Sequence, residues 1–283
     1  MEDLKKIISI DIGGTNSRFA LIDEKMNILY KIFKPTILDI KDDFVNSIIS
    51  GIEDILKEDK DVIGISIGIP GPVLRESYVI TLPNIHIDDI PLGEILNKKF
   101  NLPIIVRNDA EMAAFAEAFL GHGKKHSRVF FVTISTGLGG ALVVDLTFDE
   151  SPYEIGHTPY KHLDLTKSFE YFSSGNGLVN LAKVHDLEIN NSEHFFALVE
   201  EKNVKALFVY GRWLHILTDF LTYIERKYHP SIYVLTGGVF QSKDVFWKDL
   251  VSLNPQLNLR ECYFKDLAGL IGAAAYGFRR LSN

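Results

Sequence analysis

The sequence predicts an α/β protein built from two related lobes. Three observations carry that expectation. Short β-rich runs alternate with helical patterns along the chain, and β-hairpins with glycine-rich turns occur twice, around Gly13 and around Gly137. Each hairpin then leads into further strand and helix, an arrangement unlike a solenoid, whose period is ~20–50 residues. The 283 residues are enough for about two domains of ~150 residues, or one large one, with a sizeable core.

In order, residues 7–12 (IISIDI), 17–22 (SRFALI) and 27–34 (NILYKIFK) are β-rich and separated by turn signals, which predicts an antiparallel meander. Phe44, Ile48, Ile52, Ile55 and Leu56 fall on one face of a helix. Val62 to Ile69 is a β-branched run, broken by Gly64 and Gly68 and stopped by Pro70-Gly71-Pro72. Residues 103–107 read as a strand, followed by Asn108-Asp109 and an alanine-rich helix over about 110–120. The basic stretch His122 to Arg128 reads as an exposed connection. Strands at 129–135 and 141–146 follow, joined by Thr136-Gly137-Leu138-Gly139-Gly140. A long helix near 204–228, a strand at 232–236, Gly237-Gly238, another helix and a small apolar pattern at 267–278 complete the chain. Two related lobes with a cleft between them are the expected result.

Composition narrows the function classes. The chain is 46% hydrophobic and 24% charged, which excludes disorder and collagen-like repeats. Thirty Lys and Arg against 37 Asp and Glu give a net charge of −7, which disfavours nucleic acid as a partner. The single cysteine, Cys262, forms no internal disulfide and no multi-cysteine zinc site. The N-terminus has no signal-peptide profile, and the longest apolar stretch, around 129–144, contains three glycines. A cytoplasmic protein that does not enter membranes is the expectation.

Four motifs bear on chemistry. In Asp11-Ile12-Gly13-Gly14-Thr15-Asn16, successive glycines let backbone N–H groups converge on an anion, Thr15 adds a hydroxyl, and Asp11 suits a divalent cation. The plain alternative is a hairpin turn capped by Asp. Ser135 to Gly140 repeats the chemistry, and Thr236-Gly237-Gly238 again follows a strand. Neither G-x-x-x-x-G-K-[ST] nor a strand-following G-x-G-x-x-G is present. Asp109 stands at a strand's C-terminal end as either a catalytic carboxylate or a helix cap. Glu154, His157 and Glu170 fit a zinc site, a sugar-hydroxyl site or a charged loop. The lack of H-E-x-x-H and of nearby thiolates argues against zinc, and acid with imidazole suits a diol.

Taken in order, IDIGGTNSRFAL (10–21), GIPGPV (68–73), NDA with its alanine-rich helix (108–118), STGLGGALV (135–143), EIGH (154–157), LTGGV (235–239) and GLIGAAAYG (269–277) resemble the ROK family of sugar kinases and sugar-responsive repressors. The resemblance spans essentially the whole chain. It implies the two-lobed, ribonuclease-H-like fold of actin, Hsp70 and hexokinase, with ATP and sugar between a lobe of residues 1–121 plus a C-terminal helix at about 267–283 and a lobe of residues 122–266. It implies Asp109 as general base and Asp11 near Mg²⁺. Gly13, Gly14 and Thr15 would face Thr136, Gly137, Leu138 and Gly139 across the phosphates, with Gly237 and Gly238 near the adenosine. Gly71, Asn108, Asp109, Glu154, His157 and Glu170 would bind the sugar.

The product implied is a sugar phosphorylated by ATP, at the 6-hydroxyl of a hexose or N-acyl hexosamine. N-acetylmannosamine and glucose lead, ahead of fructose and mannose. An idle sugar-sensing protein is the alternative. Family members commonly form homodimers. The family's cysteine-rich zinc segment is replaced by Thr158 to Glu170 (TPYKHLDLTKSFE), so no structural zinc is expected, and Tyr160, His162 or Asp164 is expected to orient His157 instead. Six residues precede the first expected core strand, so a helix-turn-helix domain of the kind the repressors carry is not expected.

Overall fold

Residues 4–148, 151 and 154–281 are described by the structure, a computed structural model. They form two compact units, one running to Gly121 and resuming at Phe264, the other spanning His122–Tyr263. Residues 1–3 and 282–283 of the lobes expected from sequence lie outside the described residues.

The first unit opens with the antiparallel meander β1 (Lys6–Ile12), β2 (Asn16–Asp23) and β3 (Ile28–Pro35). Helix α1 (Lys41–Glu58) then leads to β4 (Ile65–Ile69), which pairs parallel to β1. Three short strands, β5 (Val73–Leu74), β6 (Tyr78–Leu82) and β7 (Ile87–Ile90), make a separate small antiparallel sheet. Helix α2 (Leu92–Phe100), strand β8 (Ile104–Asn108), parallel to β4, and helix α3 (Asp109–Phe119) follow. The main sheet runs β3-β2-β1-β4-β8. Ile7, Ile8, Ile10 and Ile12 on β1 are all buried, as a strand covered on both faces requires. Phe44, Val45, Ile48, Ile52 and Ile55 of α1 join Ile8, Ile10 and Phe19 in one core, each such side chain contributing ~1.5–3 kcal/mol on burial.

The second unit repeats the theme. Strands β9 (Arg128–Ile134) and β10 (Leu138–Val144) form the hairpin. A small hairpin, β11 (Pro159–His162) and β12 (Leu165–Ser168), precedes helices α4 (Phe169–Ser173), α5 (Gly175–Val184), α6 (Ser192–Glu200) and α7 (Val204–Tyr228). Strand β13 (Ile232–Thr236) pairs parallel to β9, helix α8 (Lys243–Leu253) follows, and β14 (Leu259–Glu261) pairs parallel to β13. The order is β10-β9-β13-β14. Val209, Trp213, Ile216, Phe220 and Ile224 of α7 recur at helical spacing and are buried. Trp213 stacks edge-on against Phe196 and Phe246 and donates its indole N–H to the Ser173 carbonyl at 3.0 Å.

Helix α9 (Ala268–Leu281) returns to the first unit and packs along α3, β1 and β4. There is no room for a methyl at Gly272, where an added Cβ would strike the Met112 carbonyl oxygen. Residues 264–266, expected in the second lobe, belong to the first unit, where the Phe264 N–H donates to the Glu117 carboxylate at 3.1 Å.

The strand expected at 141–146 instead runs Leu138–Val144. Gly139 and Gly140 are ladder residues opposite Thr133 and Val132 rather than turn residues. Gly140 serves close packing: a Cβ there would come within 2.8 Å of the Phe131 carbonyl oxygen and 2.9 Å of the Phe130 ring. Among the described residues, no helix is long and apolar enough to cross a membrane.

Candidate functional site

The expected residues gather into two sets, one in each unit. In the first unit, the turn Gly13–Thr15 joins β1 to β2, and the Gly13 N–H donates to the Asn16 carbonyl at 3.0 Å. Thr36, just past β3, holds this turn from behind. Its hydroxyl donates to the Gly13 carbonyl at 2.7 Å and accepts from Ser17 at 2.9 Å, while its N–H donates to the Thr15 carbonyl at 2.9 Å. Gly14 and Thr15 are exposed, and a Cβ at Gly14 would make only an ordinary contact, 3.9 Å from the Asn84 β-carbon.

Asp11, at the end of β1, is buried, and the Arg18 guanidinium across the hairpin donates to its Oδ2 at 2.9 Å. Burial pushes the Asp11 carboxyl above the usual range; Arg18 opposes the rise and Asp266 adds to it. Gly269 in the first turn of α9 closes against this carboxylate, where an added Cβ would lie 2.5 Å from Oδ1.

At the same C-terminal edge of the parallel strands, Asn108 is the N-cap of α3. Its Oδ1 accepts from the N–H groups of Ala110 (3.0 Å) and Glu111 (3.3 Å), and its Nδ2 donates to the Gly71 carbonyl at 3.2 Å. Asp109 is therefore not the cap. It is the first helical residue, directly beyond the C-terminal end of β8, with Oδ1 2.8 Å from the Ala110 nitrogen. Gly71 has φ +124°, and a Cβ there would run into the Thr81 carbonyl oxygen.

In the second unit, the β9–β10 turn is Ser135–Gly137, closed by the Ser135 N–H on the Gly137 carbonyl at 2.9 Å. Its supports come from elsewhere in the unit. The Ser135 carbonyl accepts from the Gly175 N–H at 2.6 Å, the Thr136 carbonyl from the Asn176 N–H at 3.3 Å, and the Ser135 hydroxyl from the Gly238 N–H at 3.0 Å. Gly237 has φ +117° with its α-carbon against the Ile134 backbone, whereas Gly238 faces open space. Glu170 spans the set: Oε2 accepts from the Leu138 N–H at 2.8 Å, and Oε1 accepts from His157 Nε2 at 3.2 Å. Glu154 Oε2 lies 3.6 Å from His157 Nδ1, which places the imidazole between two carboxylates.

The description "ROK family" fits a sequence model that matches residues 7–276. The chain belongs to the ROK family. A curated relative, "Glucokinase" of Streptomyces coelicolor, is 30% identical and covers 94% of this chain and 96% of its own length. Among solved structures, a ROK hexokinase from Thermus thermophilus superposes with a TM-score of 0.85 at 24% identity, covering 98% of this chain and 99% of the other. A ROK family glucokinase from Streptomyces griseus, in complex with glucose and AMPPNP, gives 0.78 at 23% identity, covering 96% and 98%. The fold class expected from the motifs, that of actin, Hsp70 and hexokinase, stands.

In this ROK protein, two expectations about the site need correction. The groups that contact His157 are Glu170 and Glu154, not Tyr160, His162 or Asp164. Tyr160 donates instead to Asp219 Oδ2 at 2.7 Å, and His162 faces His185. Leu138 and Gly139 begin β10 and are not part of the loop. Sequence reasoning also passed over Gly175, Asn176 and Thr36, whose part is played by backbone groups and one hydroxyl. The G-N-G after Glu170 was the available signal for two of them.

A further cluster in the first unit could not be read from sequence. Arg107, the residue before Asn108, donates to Glu76 at 3.2 Å and to Glu111 at 2.8 Å, and lies 5.3 Å over the Tyr276 ring. The Tyr276 hydroxyl also donates to Glu76, which accepts from Arg280 at 3.2 Å as well.

Proposed function

We propose that this ROK protein is an ATP- and Mg²⁺-dependent sugar kinase, transferring the γ-phosphoryl group to the 6-hydroxyl of a hexose or N-acyl hexosamine. The observation that carries the reading is the start of α3. Asn108 fills the cap position and reaches back to Gly71, so Asp109 stands as a carboxylate at the C-terminal end of a parallel strand. That is where open α/β sheets bind ligands. Membership of the ROK family supports the same reading, and the relative named glucokinase makes glucose the first sugar to assay, ahead of N-acetylmannosamine.

Phosphoryl transfer passes through a loose, charge-rich transition state, so alignment and electrostatics do most of the catalytic work. Asp109 takes the proton of the attacking hydroxyl as general base. Asn108 and the Gly71 backbone, with Glu154, His157 and Glu170, hold the other hydroxyls. The N–H groups of Gly14, Thr15, Thr136 and Gly137 are the phosphate donors; Gly13 and Leu138, whose own N–H groups are held by the Asn16 carbonyl and Glu170, and Gly139 in the β10 ladder frame them, with Gly237 and Gly238 the adenosine neighbours.

The residues fit a Mg²⁺ that keeps its waters. Asp11 has one oxygen on Arg18 and the other against Gly269, which favours contact through water, and Mg²⁺ gives up water reluctantly. When bound, the ion neutralises phosphate charge.

The test is an ADP-coupled assay with ATP across glucose, N-acetylmannosamine, mannose and fructose. Replacing Asp109 with Asn should lower kcat by about 10²–10⁴-fold while sugar binding, read by calorimetry, persists. Undiminished kcat in that variant, or no turnover of any sugar by the wild type, refutes the reading.

A further inference from the structure

We propose that the Tyr160–Asp219 hydrogen bond is a positioning device for the His157–Glu170 pair. That the pair binds sugar hydroxyls rests on the kinase reading above; the device itself rests on geometry. The two side chains leave from opposite ends of one closed hairpin. The Thr158 carbonyl accepts from the Phe169 N–H at 3.1 Å, and the next rung pairs Pro159 with Ser168. Whatever holds β11 and β12 against the unit therefore sets where His157 and Glu170 stand. His157 itself, with 58% of its side chain exposed, has little packing to hold it.

Alternate residues of a strand share a face, and on β11 that inward face is Tyr160 and His162. The Tyr160 ring lies 4.6 Å from the Phe169 ring, and its hydroxyl donates to Asp219 Oδ2 on α7 at 2.7 Å. A phenol on a carboxylate is a charge-assisted bond, shorter and stronger than a neutral one. Burial and that carboxylate both push the Tyr160 phenol upward, so it keeps its proton and remains the donor. His162 adds a second tie, its Nε2 3.0 Å from His185 Nε2 and its ring 5.4 Å from Phe172. The outward face (Pro159, Lys161 and Thr166) is exposed. Tyr160 thus couples the long core helix to the hairpin without itself reaching either His157 or Glu170.

Tyr160→Phe keeps the ring and deletes only the hydroxyl. Sugar KM should rise about tenfold, with ATP KM rising less than the sugar value through Glu170 and kcat changed less than about twofold, the signature of lost ground-state positioning. Asp219→Asn, which retains an acceptor oxygen, should stay near wild type, and Asp219→Ala should match Tyr160→Phe. A second readout needs no sugar: the His157 imidazole NMR signal, assigned by its loss in His157→Gln, should shift in Tyr160→Phe and stay put in Asp219→Asn. An unmoved His157 signal with unchanged sugar KM overturns the proposal, as does a fall in kcat with equal rises in both KM values. If the wild type phosphorylates no sugar, the kinase reading falls, and the His157 signal alone then decides: a shift sustains the tie, no shift removes it.

Discussion

The hairpins of the two units share a ladder pattern and differ in what stands behind their turns. In the first unit a third strand continues the meander, and the residue that follows it, Thr36, secures both ends of the Gly13–Thr15 turn. Among the described residues, the second unit's sheet has no such strand beside β10. Its Ser135–Gly137 turn is secured from three directions: the start of α5, the Gly237-Gly238 bend and the Glu170 carboxylate. Similar turns can therefore be structurally independent of the rest of a site or tied to it, depending on which neighbour satisfies their backbone groups. In the second unit one carboxylate serves both the turn and the imidazole.

Substitutions separate these two arrangements. The largest stability effect is expected at Gly237, where φ is +117° and a Cβ meets the Ile134 backbone. Gly237→Ala should cost about 1–3 kcal/mol or more of unfolding free energy in a denaturant titration, whereas Gly238→Ala, facing open space, should fall within about 0.5 kcal/mol. Equal costs would mean that the bend is not a rigid support.

Next comes the paired comparison of the turns. Glu170→Gln should raise the KM of both sugar and nucleotide about tenfold, because it weakens contacts to His157 and to the Leu138 N–H. Thr36→Val should lower stability by about 1 kcal/mol with both KM values little changed. Kinetics in which Glu170→Gln moves only one substrate would break the contrast.

The smallest effect is in acid sensitivity. Burial, the neighbouring imidazole and Arg212 lower the His162 value, and burial with Arg212 lowers that of His185. A depressed folded-state histidine binds protons less well than its unfolded counterpart. The pair's stability is thus present above the ordinary value of 6.5 and is lost as pH falls from there through the lowered values. In the first unit, burial alone would raise Glu76, but the Tyr276 hydroxyl and Arg107 outweigh it and the net shift is downward, so its contribution persists until pH falls below the ordinary 4.5 and through the lowered value. Thermal melts between about pH 7.5 and about pH 4 should show the second unit softening first. Simultaneous loss, followed by tryptophan emission for the second unit and hydrogen exchange for the first, would contradict this order.

Much of the fold was legible because its strands are β-branched runs of the expected length, and α7 and β13 were read to their ends for that reason. The small sheet of β5, β6 and β7 was not, since its strands are short and mostly half-exposed and give no clean alternation. Gly139 and Gly140 misled because a glycine required for close packing looks, in sequence, like one required for a turn. At the candidate site, Asp11, Asn108, Asp109, Glu154, His157 and Glu170 were singled out in the sequence, whereas Arg18 and Thr36 were not. What escaped was partnership: Tyr160 finding Asp219, or Arg107 finding Glu76 and Tyr276, depends on how distant elements pack, and no local pattern records it.

The return of α9 to the first unit has a consequence for how the protein is made. A ribosome finishes the second unit's entire sequence before it reaches residue 268. Until then Ile7, Ala20, Ile22 and Ala116, which the helix helps to enclose through Leu270, Ile271 and Ala274, stay without that cover. The nascent polypeptide thus carries a bare apolar groove through most of its synthesis, while its later-made neighbour already holds a complete core of its own.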